Sequence, residues 1–227
     1  MPRIALIIPA HNEAPAIGAV VRSVPQGVVD AIIVVDNASY DGTGDVARSL
    51  GARVIREEQP GYGNACRAGF LASDGYDILV YLDGDRSDEP ADLPRILAPL
   101  LDGRADLVLG SRLQGTLERG ALPAHQRAGN RVATLLVRLL YGVRLSDIGS
   151  FRAIRRDDLL ALDMTHPTYG WPVEMVVKAA RRRYRIVEVP ITYHARIGVS
   201  KVGGTFRGSV RAGAAMLGTI WRYSRGV

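Results

Sequence analysis

Short runs of Ile, Val and Leu recur through the first half of the chain, separated by segments whose apolar positions repeat at helical spacing. The runs at 3–10 (RIALIIPA), 30–37 (DAIIVVDN), 52–57 (ARVIRE), 77–83 (DILVYLD) and 105–111 (ADLVLGS) predict strands. Segments near 13–24, 41–50, 63–73 and 90–101 predict helices, with Asp41 and Glu89 close to helix starts. Runs that are apolar on both faces suit a parallel sheet covered by helices on each side, so the pattern predicts an α/β fold. The second half is less regular. It predicts a helix from about 126 to 141, an extended piece over 147–155, a helix near 171–182, a strand over 184–195 and, after a glycine-containing loop, a final helix from about 204 to 224. No repeat or low-complexity linker interrupts the chain, which reads as a single domain over 1–227.

Composition narrows the classes. At 227 residues and 47% hydrophobic content the chain can bury a sizeable core. Its one cysteine, Cys66, excludes an internal disulfide framework and a cysteine-rich zinc site, which points to a reducing, cytoplasmic compartment and to packing as the role of that thiol. The N-terminus reads as a first strand rather than a signal peptide, and no apolar run reaches the about 18 residues of a spanning helix. The net charge of +6 is concentrated late: after Glu174 eleven Lys and Arg residues stand against the single acid Glu188. That asymmetry suits an anionic partner such as phosphate groups or an acidic membrane surface. Nucleic acid is not expected, because zinc-finger spacing and an RNP-like aromatic pattern are both missing.

Ligands of open parallel sheets bind beyond the carboxyl ends of the strands, and Asp36 and Asp83 both fall there. The stretch ILVYLDGDRSDEP (78–90) brings Asp83, Asp85, Asp88 and Glu89 together directly after an apolar run. Two carboxylates two positions apart can share a hard divalent cation, Mg2+ or Mn2+, whose shell is completed by water and substrate phosphate oxygens. The alternative is a solvated turn whose Glu89 and Asp92 favour the start of the next helix. Calcium fits less well, since the EF-hand loop pattern is absent.

In order along the chain stand IIPAHNE (7–13), IIVVDNASYDGT (32–43), GYGNACRAGF (61–70), YLDGD (81–85), LGSR (109–112), DIGSFRAIRRD (147–157) and RIGVSK (196–201). This series resembles the family 2 glycosyltransferases of GT-A fold, and within them the dolichyl- or polyprenyl-phosphate mannose and glucose synthases. The resemblance implies a Rossmann-like sheet, a nucleotide-sugar-binding half over 1–111 and an acceptor-binding half over 112–227. It implies that Pro9, Asn12, Glu13 and Gly63 lie against the nucleotide and that Asp36 contacts base or ribose. Asp85 matches the more direct metal ligand, and Asp83 the acid facing the ribose and metal-bound water. Arg112 and Arg127 resemble arginines that hold phosphates, while Arg196, Ser200 and Lys201 match a loop that closes over donor and acceptor phosphates. The chain has Gly61-Tyr62-Gly63 where relatives often carry G-K-G, and Gly149-Ser150 where they carry S-G.

The reaction implied is transfer of a hexose from a UDP- or GDP-sugar to a polyprenyl phosphate, with inversion and a divalent metal. A phosphate acceptor is already ionised near neutrality, its second pKa being about 6. A hydroxyl acceptor needs a base, for which Asp147 is the first candidate and Glu174 the second. A soluble hydroxyl acceptor, a nucleotidyl transfer and a non-catalytic nucleotide-sugar-binding protein stay open, as does a homodimer. The last helix is expected to dock on the core, with peripheral contact at the cytoplasmic membrane face as the alternative.

Overall fold

The computed structural model describes residues 1–198 and 206–224. Its strands are β1 (Ile4–Ala10), β2 (Ala31–Asn37), β3 (Arg53–Glu57), β4 (Ile78–Tyr81), β5 (Leu107–Leu117), β6 (Arg152–Arg155) and β7 (Ile186–Tyr193). The helices are α1 (Ala14–Ser23), α2 (Thr43–Ser49), α3 (Tyr62–Leu71), α4 (Leu93–Leu101), α5 (Ala124–Tyr141), α6 (Arg156–Leu162), α7 (Trp171–Arg181) and α8 (Phe206–Ser224). All seven strands form one sheet in the order β3-β2-β1-β4-β6-β5-β7. Only β6 runs against its neighbours, pairing antiparallel with β4 and β5, so the fold is α/β with a mostly parallel mixed sheet.

The apolar runs explain the layers. Alternate residues of β1 and β2 serve opposite cores: Leu6, Ile8 and Val34 meet Ile17 and Val20 of α1 and Ile96 and Leu100 of α4. On the other face Ile7, Ile33 and Val35 join Cys66 of α3 and Trp171, Val176 and Val177 of α7. β1 is buried along its whole length. α3 lies so close on it that a Cβ at Gly69 would stand 2.4 Å from Ile7 Cγ2.

Three departures from the sequence pattern bear on the site. β5 runs on to Leu117, beyond the predicted 111. α6 was not predicted. The extended piece expected from 147 becomes strand only at Arg152, because its first backbone amides bond to side chains instead of a ladder: Asp147 N–H donates to Glu188 at 2.9 Å and Ile148 N–H to Asn130 at 3.0 Å. That segment is part of the cleft wall.

Candidate active site

β4 ends at the middle of the sheet and delivers its acids into the gap beyond the strand ends. The turn after it is tight. Asp85 Oδ1 accepts from the amide and hydroxyl of Ser87 at 2.9 and 2.6 Å, and Arg86 adopts a positive φ of 66°. Asp85 Oδ2 faces Arg196 at 3.3 Å. Asp83 is partly buried, and its Oδ1, which is enclosed, has no hydrogen-bond partner. Asp88, 1% exposed, accepts from the hydroxyl of Ser150 at 3.1 Å. Burial, and then the neighbouring Asp85, raises the Asp83 carboxyl to about 6; burial, followed by Asp83 and Asp85, raises that of Asp88 to about 8. Glu89 instead pairs with Arg86 and His194 and accepts from the amide of Ala91, holding the start of the helical segment.

These carboxylates fit a divalent cation. Asp83 offers a buried oxygen with no partner, and Asp85 offers one shared with an exchangeable arginine. Among the described residues no three His, Cys, Asp or Glu side chains already form a cage. That suits an ion held by one or two carboxylates and by substrate phosphate.

The segment after β7 lies across this turn. Ile197 N–H donates to the carbonyl of Asp85 at 2.9 Å and His194 N–H to that of Ser87 at 2.7 Å. Arg196 thereby reaches Glu13 at 3.0 Å as well as Asp85. Ser200 and Lys201 lie outside the described residues. Arg112, at the inner part of β5, forms a two-pronged pair with Asp147: Nε to Oδ2 is 2.7 Å and Nη2 to Oδ1 is 2.6 Å. Its amide donates to the same carboxylate at 2.9 Å.

Pro9, Glu13, Asp83, Asp85, Arg112 and Arg196 share one cleft of about 780 Å³. Its remaining wall is largely apolar: Leu122, Val132 and Ala133 from α5 and the loop before it, Ile148, Val173 of α7, and Met216 and Leu217 of α8. The structure sets several of the expected residues off the cleft wall. Asp147, expected as a base for a hydroxyl acceptor, is fully buried and off the cleft wall, with both oxygens engaged by Arg112. Glu174 is also enclosed, accepting from Thr165, His166 and Tyr223 and pairing with Lys178. Arg127 is exposed on α5 away from the wall, which Gln126 and Asn130 line instead.

Gly63 does not line the cleft either. A Cβ there would stand 1.9 Å from the carbonyl oxygen of His166, so its bareness serves the contact between α3 and that segment. Asp36 sits behind the wall, paired with Arg56 at 2.9 Å, and Asn37 next to it reaches the cleft. Asn12 is likewise behind the wall, its side chain accepting from Tyr40 N–H at 3.0 Å and its amide donating to Ser39. Ser150 and Tyr193, neither expected at the site, both line the cleft. The departure at Gly149-Ser150 was the available signal for Ser150.

The profile of the family described as glycosyl transferase family 2 matches residues 5–162. A glycosyltransferase of Mycobacterium tuberculosis with no assigned substrate is 37% identical over 92% of this chain and 94% of its own length. The undecaprenyl-phosphate mannosyltransferase of Micrococcus luteus is 35% identical, covering 97% and 96%. The dolichyl-phosphate hexose transferase of Haloferax volcanii is also 35% identical, over 94% and 92%. Among solved structures, glucosyl-3-phosphoglycerate synthase of Mycobacterium tuberculosis, in complex with Mn2+, UDP-glucose and phosphoglyceric acid, superposes with a TM-score of 0.78 over 99% of this chain and 80% of that one. At 24% identity that likeness is one of fold.

Proposed function

Because this chain belongs to glycosyltransferase family 2 and is a hexosyltransferase, we propose that it moves one hexose from a nucleoside diphosphate sugar to a polyprenyl phosphate, with inversion, using Mg2+ or Mn2+. One observation carries the reading: a single cleft combines an acidic turn and two arginines with an apolar wall drawn from α5, α7 and α8. A soluble, fully polar acceptor gives no reason for that wall. The names of the Micrococcus and Haloferax relatives support a lipid phosphate acceptor, and the solved neighbour supports a nucleotide-sugar donor with a divalent ion.

Asp85 and Asp83 are the residues that would hold the ion. When bound, it supplies positive charge to the departing diphosphate. Arg112, locked by Asp147 in one orientation, adds a fixed cation on the same wall and needs no reorganisation as negative charge develops. Arg196 is the second cation, and exchanging its carboxylate partners for phosphate oxygens would draw the segment after β7 over the substrates. A phosphate nucleophile is already ionised, which agrees with the enclosure of Asp147 and Glu174. The test is an assay of the wild-type protein with UDP- and GDP-sugars against a short-chain polyprenyl phosphate, phosphoglyceric acid and a polyprenyl alcohol, with Mn2+ or with chelator. Chelator-sensitive transfer to the lipid phosphate is expected. Transfer confined to phosphoglyceric acid or the alcohol would overturn the acceptor, and undiminished transfer in chelator would overturn the metal.

A further inference from the structure

Helices α5 and α8 leave a band of apolar side chains in solvent. On α5, Val132, Leu135 and Leu139 are 49%, 51% and 70% exposed and recur at i, i+3 and i+7, on one stripe of the helix. On α8, Leu217 and Trp221, 39% and 55% exposed, stand one turn apart. The two helices touch, the hydroxyl of Tyr141 donating to the carbonyl of Ile220 at 2.6 Å. Val132 and Leu217 also line the cleft, so the band runs from the open surface into its mouth. Large apolar side chains grouped in this way on a soluble domain mark an interaction surface.

The charge beside the band identifies the partner. Between Glu118 and Asp147 the chain has no acidic residue but five arginines: Arg119, Arg127, Arg131, Arg138 and Arg144. Arg127, Arg131 and Arg138 run along α5 at i, i+4 and i+11, which sets them beside the apolar stripe. All three are exposed, and none enters an ion pair among the described residues. We infer that this face docks on an anionic lipid bilayer. The stripe sinks to the acyl boundary, the arginines reach the headgroup phosphates, and the cleft opens onto the membrane surface. An apolar stripe flanked by a cationic row is the composition of a helix lying in the interface. No helix among the described residues is long and apolar enough to cross a membrane, so the contact is a surface one. A second copy of the chain is the poorer occupant, because a two-fold contact would bring the acid-free arginine row towards its own image. The purpose of the face rests on the lipid-acceptor reading above, but its physical basis does not.

The test is sedimentation of the full chain with vesicles of phosphatidylcholine alone and of phosphatidylcholine mixed with phosphatidylglycerol, in the absence of donor and acceptor. Binding to the anionic vesicles, weakened by salt, is expected. Arg131→Glu with Arg138→Glu should weaken it roughly tenfold or more, each arginine contributing substantially beside an anionic surface. Leu135→Gln with Leu139→Gln should weaken it independently of salt. Both pairs lie off the cleft wall, so circular dichroism, melting temperature and turnover of a short-chain, water-soluble acceptor should match wild type. Loss of fold in one pair leaves the other to decide, and loss in both hands the decision to the wild-type comparison of neutral with anionic vesicles. Failure of wild type to bind anionic vesicles, equal binding to neutral ones, or a wild-type dimer in light scattering that these substitutions dissolve would overturn the proposal. Each of those results leaves the acceptor question to the separate assay in solution.

Discussion

At the scale of single residues, the two readable acids and the enclosed ones behave differently. Asp83 and Asp85 could be found in the sequence because an apolar run ends at them two positions apart. The pairing of Asp147 with Arg112 could not, since 35 positions separate the partners and only the fold brings them together. Asp85→Asn should remove the metal dependence of nucleotide affinity while leaving the melting temperature within a few degrees of wild type, because this acid faces the cleft. Calorimetry with Mn2+ and with chelator checks it, and a mutant that still gains affinity from Mn2+ contradicts the assignment. Asp147→Asn should instead destabilise the fold by about 3 kcal/mol, since the buried carboxylate is the counter-charge of a largely enclosed arginine. Urea unfolding measures this; a mutant of normal stability that loses only transfer to alcohols would restore Asp147 as a base. Asp88 carries a pH prediction. A carboxyl raised from 3.8 to about 8 holds its proton more tightly folded than unfolded, so stability is highest below the ordinary value and falls as pH rises towards 8. Asp88→Asn cannot ionise, so in chelator its melting temperature should gain on wild type steadily across that interval. Parallel curves would show that Asp88 titrates normally.

Elements were legible where one period ruled them. β1, β4 and the first five residues of β2 are apolar throughout because helices cover both faces, and the three strands fall within a residue or three of the predicted bounds. The stretch over 147–151 reads as extended, but its amides are claimed by Glu188 and Asn130 on distant elements, a competition no local pattern displays. α6 is seven residues long, too short for a helical period to stand out. The start of α3 shows the same limit in reverse. Gly61 and Gly63 look like a nucleotide loop, yet Gly61 takes a φ of 142° and Gly63 admits the His166 carbonyl, while Asn64 N–H donates to Pro167 at 3.0 Å. Gly63→Ala should therefore cost about 1 to 3 kcal/mol by forcing two backbones apart. Chemical unfolding reads the cost directly. Unchanged stability with weakened nucleotide binding would return Gly63 to the donor site.

At the scale of the whole molecule, contacts between distant parts of the chain meet at the site: Arg196 reaches Glu13 across 183 positions and Asp85 across 111. The free protein thus holds a cation of its own where the divalent ion is proposed to bind, and the two compete for Asp85. Arg196→Ala should therefore have effects of opposite sign. Mn2+ alone should bind the mutant more tightly, by up to about fivefold, because a partly exposed ion pair is worth up to about 1 kcal/mol. Transfer to polyprenyl phosphate should fall, because the guanidinium is then missing from the phosphates it would hold. Arg196→Lys should keep part of the transfer, since it retains the charge but loses the two-pronged grip. Calorimetric titration of Mn2+ without nucleotide gives the first sign and a radiolabelled-donor assay the second. If both quantities fall together, Arg196 supports the carboxylates rather than competing for them, and the exchange of partners proposed for closure is wrong.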